Sequence, residues 1–307
     1  MIKSYIKSFS SFFIPESYTP IDSDNNISEM FSFIENECTD FLNTENPTKL
    51  YRGLSNSFKD KIYIADSTDY ERKSPEFSCH NFIMDNNEEW KEYPKRSKSI
   101  ICTNNKVITT SYGKPYYIIP ANITKKIAVA PEPDVWESFD DSFGEPFDTS
   151  EFWQSFCIVL WKGLKQKAGE RTKILDYNSL LDACELYDNN KTSILNFYNK
   201  GTGSLDMDKA LKLLLQEFLA NDNTKTMYEL LSEIFTPDKF KLYNNYNDFC
   251  SRVRNSKYST GHEIWYEGRA LMISLSDKIF ERYIDDNTEV KSGQQIFDFI
   301  KNYYGNE

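Results

Sequence analysis

The sequence has few of the residues from which metal centres and histidine-based catalytic sites are built. It contains two histidines, His80 and His262, and six cysteines, none of which form a C-x-x-C pair. A structural zinc site is hard to assemble from this set. The chain also lacks a G-x-S-x-G nucleophile turn, a P-loop, a strand-linked G-x-G-x-x-G and an H-E-x-x-H sequence. These absences disfavour hydrolase, P-loop and zinc-protease chemistry, and we predict no metal site.

Long apolar runs are also absent. The longest, residues 156–161, is far too short to span a bilayer, and residues 1–11 lack the apolar stretch of a signal peptide. The sequence therefore predicts no membrane segment. We expect a cytoplasmic protein whose cysteines are reduced thiols.

Basic charge is in short supply. Lysine and arginine together number 36 against 47 acidic residues, which gives a net charge of −11. Such a surface repels phosphate backbones, so direct nucleic-acid binding is not expected, whereas a basic partner protein would fit. Residues 131–151 are acidic and contain prolines, and we interpret them as a linker or lid.

Aromatic residues are abundant, with 20 tyrosines and 22 phenylalanines, so the chain should fold around a core. Short alternating runs predict strands before residue 130 and near residue 263, and helical spacing dominates the middle. Helical spacing also predicts helices over residues 246–253, 269–284 and 292–304. We predict an α+β protein with a small mixed β-sheet and a large helical insertion. Its segments would be an N-terminal arm and helix (1–48), the first part of the sheet (49–130), the acidic linker or lid (131–151), the helical insertion (152–258), and a returning strand with C-terminal helices (259–307).

Three short segments place polar residues on predicted strands. Arg52 follows an apolar run, and its planar guanidinium could hold a diphosphate while Gly53 allows close backbone approach. The run from Arg96 to Thr103 predicts a strand on which Ser97 and Ser99 share one face. Glu263 opens the late strand, where a carboxylate could stabilise an oxocarbenium-like transition state.

The order of these segments resembles the Arg-Ser-Glu class of mono-ADP-ribosyltransferases, and most strongly its phage-type members. The residues that carry the resemblance lie within 49–130 and 260–275. They are Tyr51–Arg52–Gly53, Arg96–Ser97–Lys98–Ser99, Tyr112–Gly113 with Ile118–Ile119–Pro120, and Glu263–Ile264–Trp265. The resemblance implies a sheet of the ADP-ribosyltransferase type and NAD as a substrate.

The resemblance also implies roles for individual residues. Arg52 and Gly53 would grip NAD, Ser97 and Ser99 would orient its ribose and the catalytic Glu263, and the ring of Tyr112 or Tyr116 would stack on nicotinamide. The acceptor would be a macromolecule, most simply a protein, and the host cytoplasm would be the location of a phage-encoded enzyme. Arginine-modifying members carry Glu or Gln two residues before the catalytic glutamate. This chain has Gly261 there, which disfavours both an arginine acceptor and full activity.

Two alternatives belong to other functional classes. The first is a structural or interaction protein that has the transferase fold without its chemistry. The second is an acidic inhibitor that imitates nucleic acid, which requires a continuous carboxylate face. A cleft that brings Arg52, Ser97 and Glu263 together would distinguish the transferase from both.

Overall fold

The computed structural model describes residues 17–20, 24–56, 58, 62–68, 79–122, 126–131, 135, 149–165, 173–199, 209–220, 224–240, 242, 244, 261–286 and 290–305. The chain divides into two compact units. The first comprises Met1–Arg72, Glu92–Asp134 and Tyr243–Glu307, and the second comprises Lys73–Lys91 and Val135–Leu242. The second unit thus includes residues 73–91, which lie within the segment 49–130 that was predicted to form the first part of the sheet.

The described residues of the first unit form an eight-stranded sheet of order β1-β3-β8-β5-β2-β4-β7-β6, with the strands numbered along the chain. Every described strand pairing is antiparallel, so the expectation of a small sheet with mixed strand directions is wrong, whereas the α+β class is confirmed. The strands are β1 (Ser17–Pro20), β2 (Leu50–Leu54), β3 (Ile62–Asp66), β4 (Ile100–Thr103), β5 (Lys114–Pro120), β6 (Ile127–Val129), β7 (Glu263–Tyr266) and β8 (Arg269–Ser274).

Five described helices accompany this sheet: α1 (Asp24–Glu37), α2 (Thr39–Leu42), α4 (Lys106–Thr109), α10 (Lys278–Asp285) and α11 (Gly293–Tyr304). Helix α11 begins where predicted because the side chains of Ser292 and Gln295 form a capping box. Helices α1, α2, α10 and α11 pack on one sheet face, where Tyr51, Tyr117 and Ile273 join their core. The opposite face carries a second apolar cluster that includes Leu50, Tyr116 and Ile264.

The second unit is helical in its described residues. Its elements are α3 (His80–Asn86), α5 (Thr149–Gly163), α6 (Tyr177–Asn189), α7 (Lys191–Asn199), α8 (Lys209–Leu219), α9 (Met227–Ile234) and two 3-10 turns, Glu88–Trp90 and Pro237–Phe240. Aromatic packing dominates its core: Trp153 stacks on Phe235 at 5.7 Å, and Trp90 Nε1 donates to the Phe235 carbonyl at 2.7 Å. A helix predicted over residues 246–253 and almost all of the acidic segment 131–151 lie outside the described residues.

Two predicted elements are wrong. Residues Arg96–Lys98 form a 3-10 turn, and the strand begins only at Ile100. The run Arg269–Ile284, predicted as one helix, is strand β8 followed by the shorter helix α10. Strand β8 contributes apolar side chains to both sheet faces, so its sequence lacks the polar alternation that marks a half-exposed strand.

Candidate functional site

Glu263 is the first residue of β7, and the register of the sheet fixes its neighbours. Thr103 lies opposite Glu263 and Cys102 lies opposite Ile264. Residues paired directly across antiparallel strands project to the same face, so Thr103 and Glu263 are side by side. Tyr51 pairs with Thr103 from the other side and continues this row. We call the surface that carries Tyr51, Thr103 and Glu263 the Glu263 face.

The carboxylate of Glu263 forms an ion pair with Arg96 Nη1, and the two side chains are only 4% and 3% exposed. Arg96 comes from the 3-10 turn before β4, and its guanidinium carbon lies 5.1 Å from the centre of the Trp265 ring. Trp265 is two residues after Glu263 on the same strand, so it shares the Glu263 face. A buried charge requires such compensation, because either ion alone would carry a large desolvation cost.

The chain reaches Glu263 through a constrained turn. Gly261 has φ of +97°, and a Cβ there would lie 2.6 Å from Asn105 Cβ. The side-chain oxygen of Asn104 accepts a hydrogen bond from the His262 amide at 2.7 Å, and His262 Nδ1 lies 3.0 Å from the Ala130 carbonyl oxygen. The left-handed conformation and the lack of space both favour glycine at this position. Packing and backbone conformation therefore account for glycine at position 261.

Arg52 lies on the other side of the sheet. Its neighbour Tyr51 is on the Glu263 face, and successive residues of a strand project to opposite faces. Arg52 itself pairs with Tyr116, a member of the apolar cluster on the opposite face, and its Nη1 donates to the Ile101 carbonyl at 3.1 Å. The structure therefore does not bring Arg52 and Glu263 together on one face.

The structure also places Gly53 and the two tyrosines among packed neighbours. A Cβ at Gly53 would overlap the Thr109 carbonyl oxygen and lie 2.7 Å from Tyr112 Cβ, so glycine there accommodates α4 and the turn after it. Tyr116 is fully buried on the face opposite Glu263, 5.9 Å from the Tyr63 ring. Its ring is thus covered by protein, and Tyr112 lies in the turn beside Gly53.

Ser97 and Ser99 do not share a strand face. Ser97 belongs to the 3-10 turn, and Ser99 Oγ donates to the Lys95 carbonyl at 2.7 Å. Arg96 and Thr103 adjoin Glu263, and sequence reasoning assigned neither of them to the site. Thr103 has a detectable signal, because it is the hydroxyl-bearing residue at the end of the apolar run Ile100–Cys102.

The described residues contain no group of three or more histidine, cysteine or acidic side chains arranged to hold a metal ion. None of the described helices is both long enough and apolar enough to cross a membrane. Around Glu263 the structure brings together a carboxylate, the hydroxyl-bearing Thr103 on the paired strand and the guanidinium of Arg96. A carboxylate in a water-poor site can stabilise a developing cation strongly, once it is released from its own counter-ion.

Comparisons of the chain with protein-family models, with curated proteins and with solved structures found no match. The geometry around Glu263 and the resemblance of the short motifs are thus the two grounds for a functional assignment.

Proposed function

We propose that the chain is a mono-ADP-ribosyltransferase-like protein that uses NAD as a substrate, with Glu263 as its catalytic carboxylate. The observation that carries the proposal is the pairing of Glu263 with Thr103 on one face, directly after the turn at Gly261. A carboxylate beside a hydroxyl at the end of a strand suits a sugar that must lose its leaving group. The acceptor would be a host or phage macromolecule, as in the family that the motifs resemble.

In this mechanism Glu263 accepts a hydrogen bond from the 2′-hydroxyl of the nicotinamide ribose. Its negative charge then stabilises the oxocarbenium ion as the glycosidic bond to nicotinamide breaks. The acceptor nucleophile forms the new bond to the anomeric carbon and gives up its proton. Thr103 keeps a hydroxyl beside the carboxylate, which is the role that the sequence assigned to Ser97.

The test is nicotinamide release from NAD by the purified protein, measured beside Glu263→Gln. Glutamine keeps the shape of the side chain and removes its charge, so we expect release to fall by about 100-fold or more. Glu35→Gln is the matched control, because Glu35 is a half-exposed carboxylate that pairs with Lys301. Equal release by wild type and Glu263→Gln would refute Glu263 as the catalytic residue.

A second candidate is a protein that has the fold but performs no transfer. Two observations favour it: Glu263 is engaged by Arg96 within the core, and Arg52 lies on the other sheet face. This candidate predicts no nicotinamide release at any NAD concentration. It also predicts that Glu263→Gln affects stability alone.

A further inference from the structure

The buried guanidinium of Arg96 is the cation in contact with Glu263, and it belongs to a segment that the sequence assigned to ribose binding through its serines. NAD carries a diphosphate, which is repelled by an uncompensated carboxylate. A site centred on Glu263 therefore needs a cation on the same face. Arg52 is on the other face, and Lys106 of α4 is held by Glu281 and Asp285 at 2.6 Å.

We propose that Arg96, and not Arg52, binds the diphosphate of NAD, by exchanging the carboxylate of Glu263 for the phosphate oxygens. This inference rests on the proposed function and assigns its phosphate-binding residue. In the ligand-free chain Arg96 holds Glu263. In the complex the diphosphate takes the guanidinium, and the ribose 2′-hydroxyl replaces it as the hydrogen-bond donor to Glu263.

The surroundings of Arg96 suit this exchange. The guanidinium has five donors in a planar fork that fits phosphate as well as carboxylate, and it lies over the Trp265 ring. It is already buried, so the exchange adds no desolvation cost for the guanidinium itself. Arg96 is carried by a 3-10 turn outside the β4 ladder, so a shift of this side chain breaks no strand pairing.

In this exchange Glu263 and the diphosphate compete for Arg96. Removal of the Glu263 charge should therefore strengthen ligand binding. Glu263→Gln should bind ADP-ribose about tenfold more tightly than the wild type, because a neutral amide holds Arg96 less strongly than a carboxylate does. Arg96→Lys should bind it about tenfold less tightly, because lysine keeps the charge but loses the fork. Arg52→Gln should bind within about twofold of the wild type.

The experiment is isothermal titration calorimetry of the full chain with ADP-ribose, with adenosine as the phosphate-free control ligand. Thermal unfolding of each variant establishes that it is folded, and Glu263→Gln keeps the test open if Arg96→Lys is unstable. Tighter ADP-ribose binding by Glu263→Gln, with no gain for adenosine, supports the exchange. Weaker or unchanged binding by Glu263→Gln, no ADP-ribose binding, or a loss of affinity confined to Arg52→Gln, overturns it.

Failure of this inference and failure of the proposed function give different results. Nicotinamide release that depends on Glu263, together with ADP-ribose binding that is insensitive to Arg96, would retain the enzyme and refute the exchange. Arg96-dependent ADP-ribose binding without nicotinamide release would retain the exchange and refute the transfer chemistry.

Discussion

Replacement of Arg96 with methionine should destabilise the sheet unit strongly, because it leaves the carboxylate of Glu263 in the core without its guanidinium. The two side chains are 3% and 4% exposed, which places the pair among buried ion pairs. Loss of one partner of such a pair costs about 3–5 kcal/mol, against about 0.2–1 kcal/mol for an exposed pair. The double variant Arg96→Met/Glu263→Leu should recover most of this loss, because it removes both charges from the core.

The assay is urea denaturation followed by far-UV circular dichroism, with hydrogen exchange of β4 and β7 amides to identify the transition of the sheet. The two single variants and the double variant form a double-mutant cycle, with an expected coupling energy of about 3 kcal/mol. Lys301→Met is the matched control, because its pair with Glu35 is about half exposed, at 49% and 47%. A loss below about 1 kcal/mol for Arg96→Met, or a double variant as unstable as the single, would refute the argument.

Three further changes test other parts of the structure. Hydrogen bonds, chiefly from Lys106, lower the pKa of Glu281, so this pair stabilises the fold above the ordinary glutamate pKa and loses its effect as pH falls through the lowered value. Lys106→Met should therefore cost about 1 kcal/mol at pH 7 and less at pH 3, measured by urea denaturation. Gly293→Ala should cost about 2 kcal/mol or more in the same assay, because its Cβ would overlap the Phe41 carbonyl. Burial raises the pKa of the Cys184 thiol to about 12, so iodoacetamide at pH 8 should label it only after unfolding, as mass spectrometry would show.

Each of these predictions has a control or a contradicting outcome. A Lys106→Met effect that is equal at both pH values would show that the glutamate charge is not involved. Gly268→Ala is the control for Gly293→Ala, because Gly268 also favours glycine, with φ of +132°, but has no atom within 4 Å of its Cβ position. It should therefore cost only about 1 kcal/mol. Labelling of native Cys184 as fast as that of a free thiol would contradict its burial.

The sequence predicted elements well where one face of a segment is polar. Helix α11 has a capping box and an amphipathic pattern, and its predicted range, Ser292–Tyr304, differs from the observed helix by one residue. Prediction failed where both faces are buried. In strand β8 every residue after Arg269 is buried, so the apolar run gave no period of two and merged with the helix that follows.

The sequence predicted only part of the site, and strand geometry explains why the rest was missed. A short motif shows that a polar residue lies on a strand, but the pairing partners determine which face it occupies, and a shift of one residue reverses the face. Arg52 and Glu263 are each on a predicted strand, yet the pairings of Tyr51 with Thr103 and of Thr103 with Glu263 place Arg52 on the opposite face. No pattern within either segment contains that information.

The same geometry explains why the arginine of the Arg96–Ser99 segment pairs with Glu263. Had the strand begun at Arg96, Ser97 and Ser99 would have projected together with Ile101. Instead the 3-10 turn directs Arg96 over Trp265 and onto Glu263, while Ser99 bonds to the Lys95 carbonyl. A guanidinium in contact with the carboxylate fixes its position and offsets its negative charge. Binding of an anion at Arg96 is therefore the event that would change the chemistry of Glu263.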